Sequence, residues 1–416
     1  MLFRLTLASM RARATTVVIS VLSVALSVTL FLGVEKLRHG ARESFASTIS
    51  GTDLVVGARS GGVQLLLYSV FRVGEATNNF SWQSYRQIAQ RPEVDWIVPI
   101  SLGDSHRQFR VMGTTNGYFE RYKYRGDQSL SVVQGALMSA LFDAVIGADV
   151  ARALGYEIGD QMILSHGIAS FVPHADRPFR VSGILEKTGT PVDRTVIVSL
   201  GAIEAIHVDW RRGQRPPSDT GAAAGNAQEV RPPTYVTAAL VGVKSRLQIV
   251  ALQRAVNTYR GEPLSAVLPG VALQELWQIL GGVETALVAV SGLVVVTALL
   301  GLMATLFSTL ISRQREMAIF RAMGAGPRVI LRLMVFEAVV IAGLGGLLGI
   351  AVLYAGLYVT QPQIEAVLGL AMPISAPALR DAGVLVSIVL AAIVVSIAPA
   401  LRAYRMSVSD GMMVRN

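Results

Sequence analysis

The chain has 416 residues, of which 52% are hydrophobic and only 16% charged, well short of the roughly 25% charge of an ordinary soluble domain, so a purely soluble enzyme does not fit. A mean hydropathy of +0.50 is nevertheless too low for membrane helices throughout, and apolar spans must alternate with a polar portion large enough for its own core. The absence of cysteine removes disulfide scaffolding, thiolate metal sites and cysteine nucleophiles together.

Residues 1–13 set Leu2, Phe3, Leu5, Leu7 and Met10 against Arg4, Arg11 and Arg13, the pattern of an amphipathic helix lying in a membrane interface. Four runs without Asp, Glu, Lys or Arg follow, at 14–34, 285–312, 338–364 and 382–401. Each meets the about 20 apolar residues that a transmembrane helix needs. The first reads as an uncleaved anchor, because its uncharged stretch exceeds the about 7–15 residues of a signal-peptide core.

Residues 35–284, between the first two spans, read as mixed α/β. Apolar and β-branched runs at 96–100, 109–112, 179–185 and 195–200 are bounded by Gly, Pro and Asp, which predicts strands ended by turns. Residues 81–90 predict a helix capped by Ser81. Residues 247–259 place Ile249, Leu252, Val256 and Tyr259 at helical spacings. The apolar run LLLYSVF at 65–71 reads either as a buried strand or as a lip that touches lipid or a lipoprotein. Tyr118, Phe119, Tyr122 and Tyr124 form an aromatic cluster suited to packing, and TGTPVDR at 188–194 reads as a turn between strands. The Pro-, Gly- and Ala-rich stretch 215–233 predicts a mobile loop. Helical patterns at 35–49 and 273–284 predict that the first two spans continue beyond the bilayer as a stalk.

The charge is unevenly placed. Residues 1–13, 313–337 and 402–416 together hold eleven basic residues against three acidic, whereas 35–284 holds 25 against 23 and 365–381 holds one against two. Positive loops stay cytoplasmic, so both termini are expected there. With the excess explained by topology, and with no basic face interleaved with aromatics, a nucleic-acid partner loses its support.

The most specific text is SRQREMAIFRAMGA at 312–325, directly after the second span, followed by Gly326, Pro327 and Arg328 and by a third span opening EAVVIAGLGGLLG at Glu337. With the closing PALRAYRMSVSDGM at 399–412 and the order of one span, a large domain, then three spans, the chain resembles the MacB/LolC/FtsX-like permeases, the membrane subunits of mechanotransmitting ABC (ATP-binding-cassette) systems. The implied fold class is a membrane protein of four transmembrane α-helices, with a large mixed α/β extracytoplasmic domain inserted between helices 1 and 2. Residues 315–324 set Glu316, Phe320 and Met323 along one side of a short helix, with Ile319 beside them and Gly324 as its stop. In the resembling family this is the coupling helix seated on the ATPase. Arg315 and Arg321, with Arg313, would position it by charge; the plainer reading is an amphipathic helix on lipid headgroups.

No G-x-x-x-x-G-K-[ST] motif occurs, so this chain lacks the phosphate cradle of a nucleotide hydrolase. The resemblance then implies a separate cytoplasmic ABC ATPase in two copies, which would hold the ATP and Mg²⁺. It also implies a second copy of this chain or a paralogous permease, and an inner-membrane location. A periplasmic adaptor or substrate-binding protein and membrane lipid are further expected partners. Ser20, Ser23 and Ser27 on the first span and Gly343, Gly345, Gly346 and Gly349 on the third let helix backbones approach closely, in a dimer interface or within one chain. The uncharged spans offer no ion path, which disfavours a secondary transporter.

Of the five histidines, His39 falls in the helical start of the large segment and four lie beyond it: His106, His166, His174 and His207. His174 with Asp176, and His207 with Asp209, place both side chains on one face of an extended segment. Together with His166 they could bind zinc, or serve as surface hydrogen-bonding groups. A zinc-linked ABC system is therefore the alternative function, and a scaffold without energy coupling a third. Neither G-x-S-x-G nor H-E-x-x-H occurs, so catalytic residues are not expected.

Overall fold

A computed structural model of the chain describes residues 10–11, 13–167, 177–207, 232–312, 326–368 and 377–405. They fall into two compact units, one of Met1–Gly40, Gly281–Pro362 and Pro373–Asn416, the other of Ala41–Leu280 and Gln363–Met372.

The first unit holds the apolar parts of four helices, Ala14–Thr48, Pro269–Ser312, Pro327–Leu368 and Leu379–Arg405, each with a stretch long and apolar enough to cross a membrane. A helix is the form such a run must take in hydrocarbon, because it satisfies every backbone donor and acceptor within the segment. Leu302, Leu306 and Leu310, four residues apart, present one stripe to Ile330, Met334 and Ile341. A second cluster joins Val24, Val28 and Leu32 to Leu353 and Ile388.

The second unit is a mixed α/β domain. Its main sheet runs in the order Leu264–Val267, Leu54–Ala58, Ala238–Val243, Val94–His106, Phe109–Thr114, Thr195–Ser199, Asp143–Ile146, Phe179–Leu185 and Val132–Gly135. The pairs Thr195–Ser199 with Phe109–Thr114 and Phe179–Leu185 with Asp143–Ile146 are parallel; the other pairs along this path are antiparallel. The strand Val94–His106 is the axis, since its first half pairs with Ala238–Val243 and its second with Phe109–Thr114.

Local sequence explains the flanking helices. Trp82–Ala89 starts at Ser81, whose side chain accepts from the Ser84 amide, and it buries Ser84, Tyr85 and Ile88 at helical spacing. Ile249–Asn257 buries Leu252 and Val256. The run at 65–71 corrects the sequence reading: it is neither a strand nor an exposed lip. Gly62–Ser69 is a helix whose Leu65, Leu66 and Tyr68 are buried. They share a core with Val55, Ile100, Tyr118, Phe119, Tyr122 and Tyr124. Each such side chain contributes about 1.5–3 kcal/mol by leaving water.

Candidate functional site

In the second unit, three side chains from separate elements meet at one edge of the long strand Val94–His106. Its register against Phe109–Thr114 slips between Leu102 and Ser105, a bulge that accommodates Gly103 at φ 150°, a backbone conformation open to glycine. Asp104 follows directly and is 3% exposed. The short strand Ser165–His166 pairs antiparallel to this segment and puts His166 opposite Asp104. His207 is the last residue of the helix Leu200–His207, which begins where the central strand Thr195–Ser199 ends.

The donor atoms form a nearly equilateral triangle. His166 Nδ1 lies 3.0 Å from His207 Nε2, and each of these nitrogens lies 3.3 Å from Asp104 Oδ1. His207 Nδ1 is 2.8 Å from the Ile203 carbonyl oxygen. In the neutral ring this contact requires the proton on Nδ1, which donates to that carbonyl and leaves Nε2 as a lone pair aimed at the other two atoms. Asp104 Oδ1 is buried and makes no hydrogen bond of good geometry among the described residues. Burial alone would raise the Asp104 carboxyl, but the two imidazoles 3.3 Å away hold it at about 2. Asn79, Glu204 and Tyr235 join the three residues in lining a groove of about 310 Å³.

The other sequence candidates distribute differently. His106 packs away from the triad, with Nδ1 2.7 Å from the Ile163 carbonyl and Nε2 2.9 Å from the Tyr156 hydroxyl. His174, Asp176 and Asp209 lie outside the described residues, as do Arg315, Glu316, Ile319, Phe320, Arg321, Met323 and Gly324 of the expected coupling helix. Residues 1–9, 208–231 and 406–416 also lie outside them. Asp104 was missed by sequence reasoning, which paired His174 and His207 with the acids two residues on. The available signal was a glycine preceding an acid within a β-branched run, the composition of a bulge.

Within the first unit, the small residues serve contacts inside the chain. A Cβ on Gly345 would lie 2.7 Å from the Val24 side chain, and one on Gly349 would lie 2.6 Å from the Ala25 carbonyl oxygen. Ser27 Oγ donates to the Ser23 carbonyl at 2.8 Å, and the Ser20 hydroxyl is 3.4 Å from that of Thr305. Ser20 and Ser27 are buried and Ser23 is exposed. Gly345, Gly349, Ser20 and Ser27 thus pack the first helix against the second and third.

Charges cluster at the helix ends. Arg13 pairs with the buried Glu337 at 3.0 Å. Among residues from the other end of the helices, Lys36 pairs with Asp381 at 3.1 Å, and Asp381 also accepts from the Tyr354 hydroxyl at 2.7 Å. Arg380 there pairs with Glu35.

Four helices apolar enough to cross a membrane, with an α/β domain inserted after the first, make the architecture of a multi-pass membrane protein. The family model of the MacB-like periplasmic core domain matches residues 14–259, more than half of the chain, and that of the FtsX-like permease C-terminal region matches 288–408. The chain belongs to the MacB/FtsX-like ABC permeases, non-catalytic membrane components that work with a cytoplasmic ABC ATPase.

Among solved structures, the periplasmic region of MacB from Actinobacillus actinomycetemcomitans is 11% identical, with a TM-score of 0.35, covering 55% of this chain and 94% of that one. The extracellular domain of the noncanonic ABC-type transporter YknZ from Gram-positive bacteria is 14% identical, with a TM-score of 0.31, covering 52% and 98%. No curated protein sequence matches the chain.

Proposed function

We propose that this permease component couples a separate cytoplasmic ATPase to work on the far side of the membrane: export, lipoprotein extraction or mechanical signalling. Both termini and the segment 313–337 face the cytoplasm in this reading, and the α/β unit faces outward. The observation that supports it is the pair of family matches, a periplasmic core domain at 14–259 and a permease region at 288–408. The positive charge concentrated in the three segments assigned to the cytoplasm agrees with this placement.

Two ATPase copies would face two permease chains, either identical or paralogous. The coupling helix at 315–324 would seat Ile319, Phe320 and Met323 in the ATPase, with Arg315, Arg321 and Glu316 setting its register. The helices Ala14–Thr48 and Pro269–Ser312 extend well past the about 20 residues that a bilayer requires. A continuous helix carries displacement that a flexible linker would dissipate.

Phe320→Asp tests the coupling role. It should abolish co-purification of the ATPase while the melting of the α/β unit stays at its wild-type value. Unaltered co-purification would reject the assignment.

A further inference from the structure

We propose that Asp104, His166 and His207 bind one divalent transition-metal ion of the zinc class at the groove beside Asn79, Glu204 and Tyr235. The proposal rests on the α/β unit alone and does not depend on coupling to an ATPase.

The triangle of donors carries the argument. Zinc bonds nitrogen and carboxylate oxygen at about 2.0–2.2 Å, so donors on one face of a tetrahedron stand about 3.3 Å apart. The three edges observed are 3.0, 3.3 and 3.3 Å, so one ion above the plane reaches all three atoms without any element moving. A hydrogen-bonded cluster needs only two of these contacts. It does not account for an Asp104 Oδ1 that is buried, makes no well-formed hydrogen bond among the described residues, and sits equidistant from two ring nitrogens. Leaving such an atom unsatisfied is costly, and a cation above the triangle removes that cost.

The surroundings fit the same reading. The Ile203 carbonyl accepts from His207 Nδ1 and so, in the neutral ring, leaves Nε2 as the ligating atom, the outer-shell hydrogen bond that orients a metal-ligating histidine. Two imidazoles with one carboxylate suit zinc and its borderline neighbours, whereas calcium and magnesium prefer all-oxygen shells. Among the described residues three protein ligands converge, a number with which zinc takes a further ligand from water or another group. The groove gives that ligand room, and the Glu204 carboxylate on its wall is placed there by the same helix that carries His207.

The test is zinc binding by the full chain, purified in detergent and stripped with chelator, followed by calorimetry and by the shift in melting temperature. Wild type should bind one Zn²⁺ per chain and melt higher when loaded. His166→Ala, His207→Ala and Asp104→Ala should each weaken binding by at least about tenfold and lose the zinc-induced shift, while His39→Ala keeps both. Melting of the metal-free variants checks that they fold. His207→Gln, which keeps a polar side chain at the helix end, stands in for any alanine variant that does not fold, and the same loss of binding is expected. If wild type binds no zinc, or if folded variants bind it as tightly as wild type, the three residues are a hydrogen-bonded cluster only and the proposal is overturned.

Discussion

Gly349 lies so close to Ala25 that a Cβ on the glycine would stand 2.6 Å from the Ala25 carbonyl oxygen and 2.8 Å from the Val28 side chain. The same approach lets the Thr29 hydroxyl donate across to the Gly349 carbonyl at 2.9 Å. Between apolar helices in lipid, no hydrophobic gain drives association, so backbone proximity and such hydrogen bonds carry the packing.

Gly349→Val should therefore push the first and third helices apart and lower stability by about 1–3 kcal/mol, the scale of overpacking. Gly343, whose added Cβ would meet nothing within 4 Å, supplies the control. Melting curves in detergent should show a lowered midpoint for Gly349→Val and an unchanged one for Gly343→Ala. Equal midpoints for both would contradict the close packing.

Leu65→Ala separates core from contact surface. Leu65 is fully buried in the helix Gly62–Ser69, so truncation should cost about 2–5 kcal/mol in transfer and cavity terms. A lip that touches lipid or substrate would instead lose function at unchanged stability. Denaturant unfolding of the full chain distinguishes the two.

The pH dependence of stability should include a step from Asp143. Burial alone would raise its carboxyl, but hydrogen bonds from the Ala140 and Ser139 amides at 2.7 and 2.9 Å, and from the Ser139 hydroxyl, outweigh burial and hold it below its ordinary range. A carboxyl lowered in the folded state contributes stability that is present above the unfolded value of about 3.9 and lost as pH falls through the folded value. Asp143→Asn should lower the melting midpoint at neutral pH, and its difference from wild type should shrink as the pH drops below about 4. A difference independent of pH would show that the charge plays no part.

The spans were legible because a run without charges has one stable form in hydrocarbon, and the strands at 109–112 and 179–185 because β-branched runs ended by turn residues have few alternatives. Ser81 announced its helix through its side chain. The run LLLYSVF was ambiguous because an apolar segment of seven residues suits a strand or a buried helix equally, and only the neighbouring core decided it. Likewise, pairing His207 with Asp209 used proximity in sequence. Asp209 lies outside the described residues; among those described, His207 meets Asp104, about a hundred residues away, which a strand bulge presents to the end of the helix Leu200–His207. The glycines on the third span announced close approach without naming the partner, because small residues serve packing within one chain and between chains alike.

The placement of the α/β unit beyond the membrane is the claim on which coupling depends, and the absence of native cysteine makes it directly measurable. Leu247, 93% exposed in the α/β unit, and Arg402, exposed near the end of the last helix, are each replaced by cysteine and treated in intact spheroplasts with a membrane-impermeant maleimide. Leu247→Cys should label at once and Arg402→Cys only after permeabilisation. The reverse pattern would put the α/β unit on the ATPase side and contradict the account.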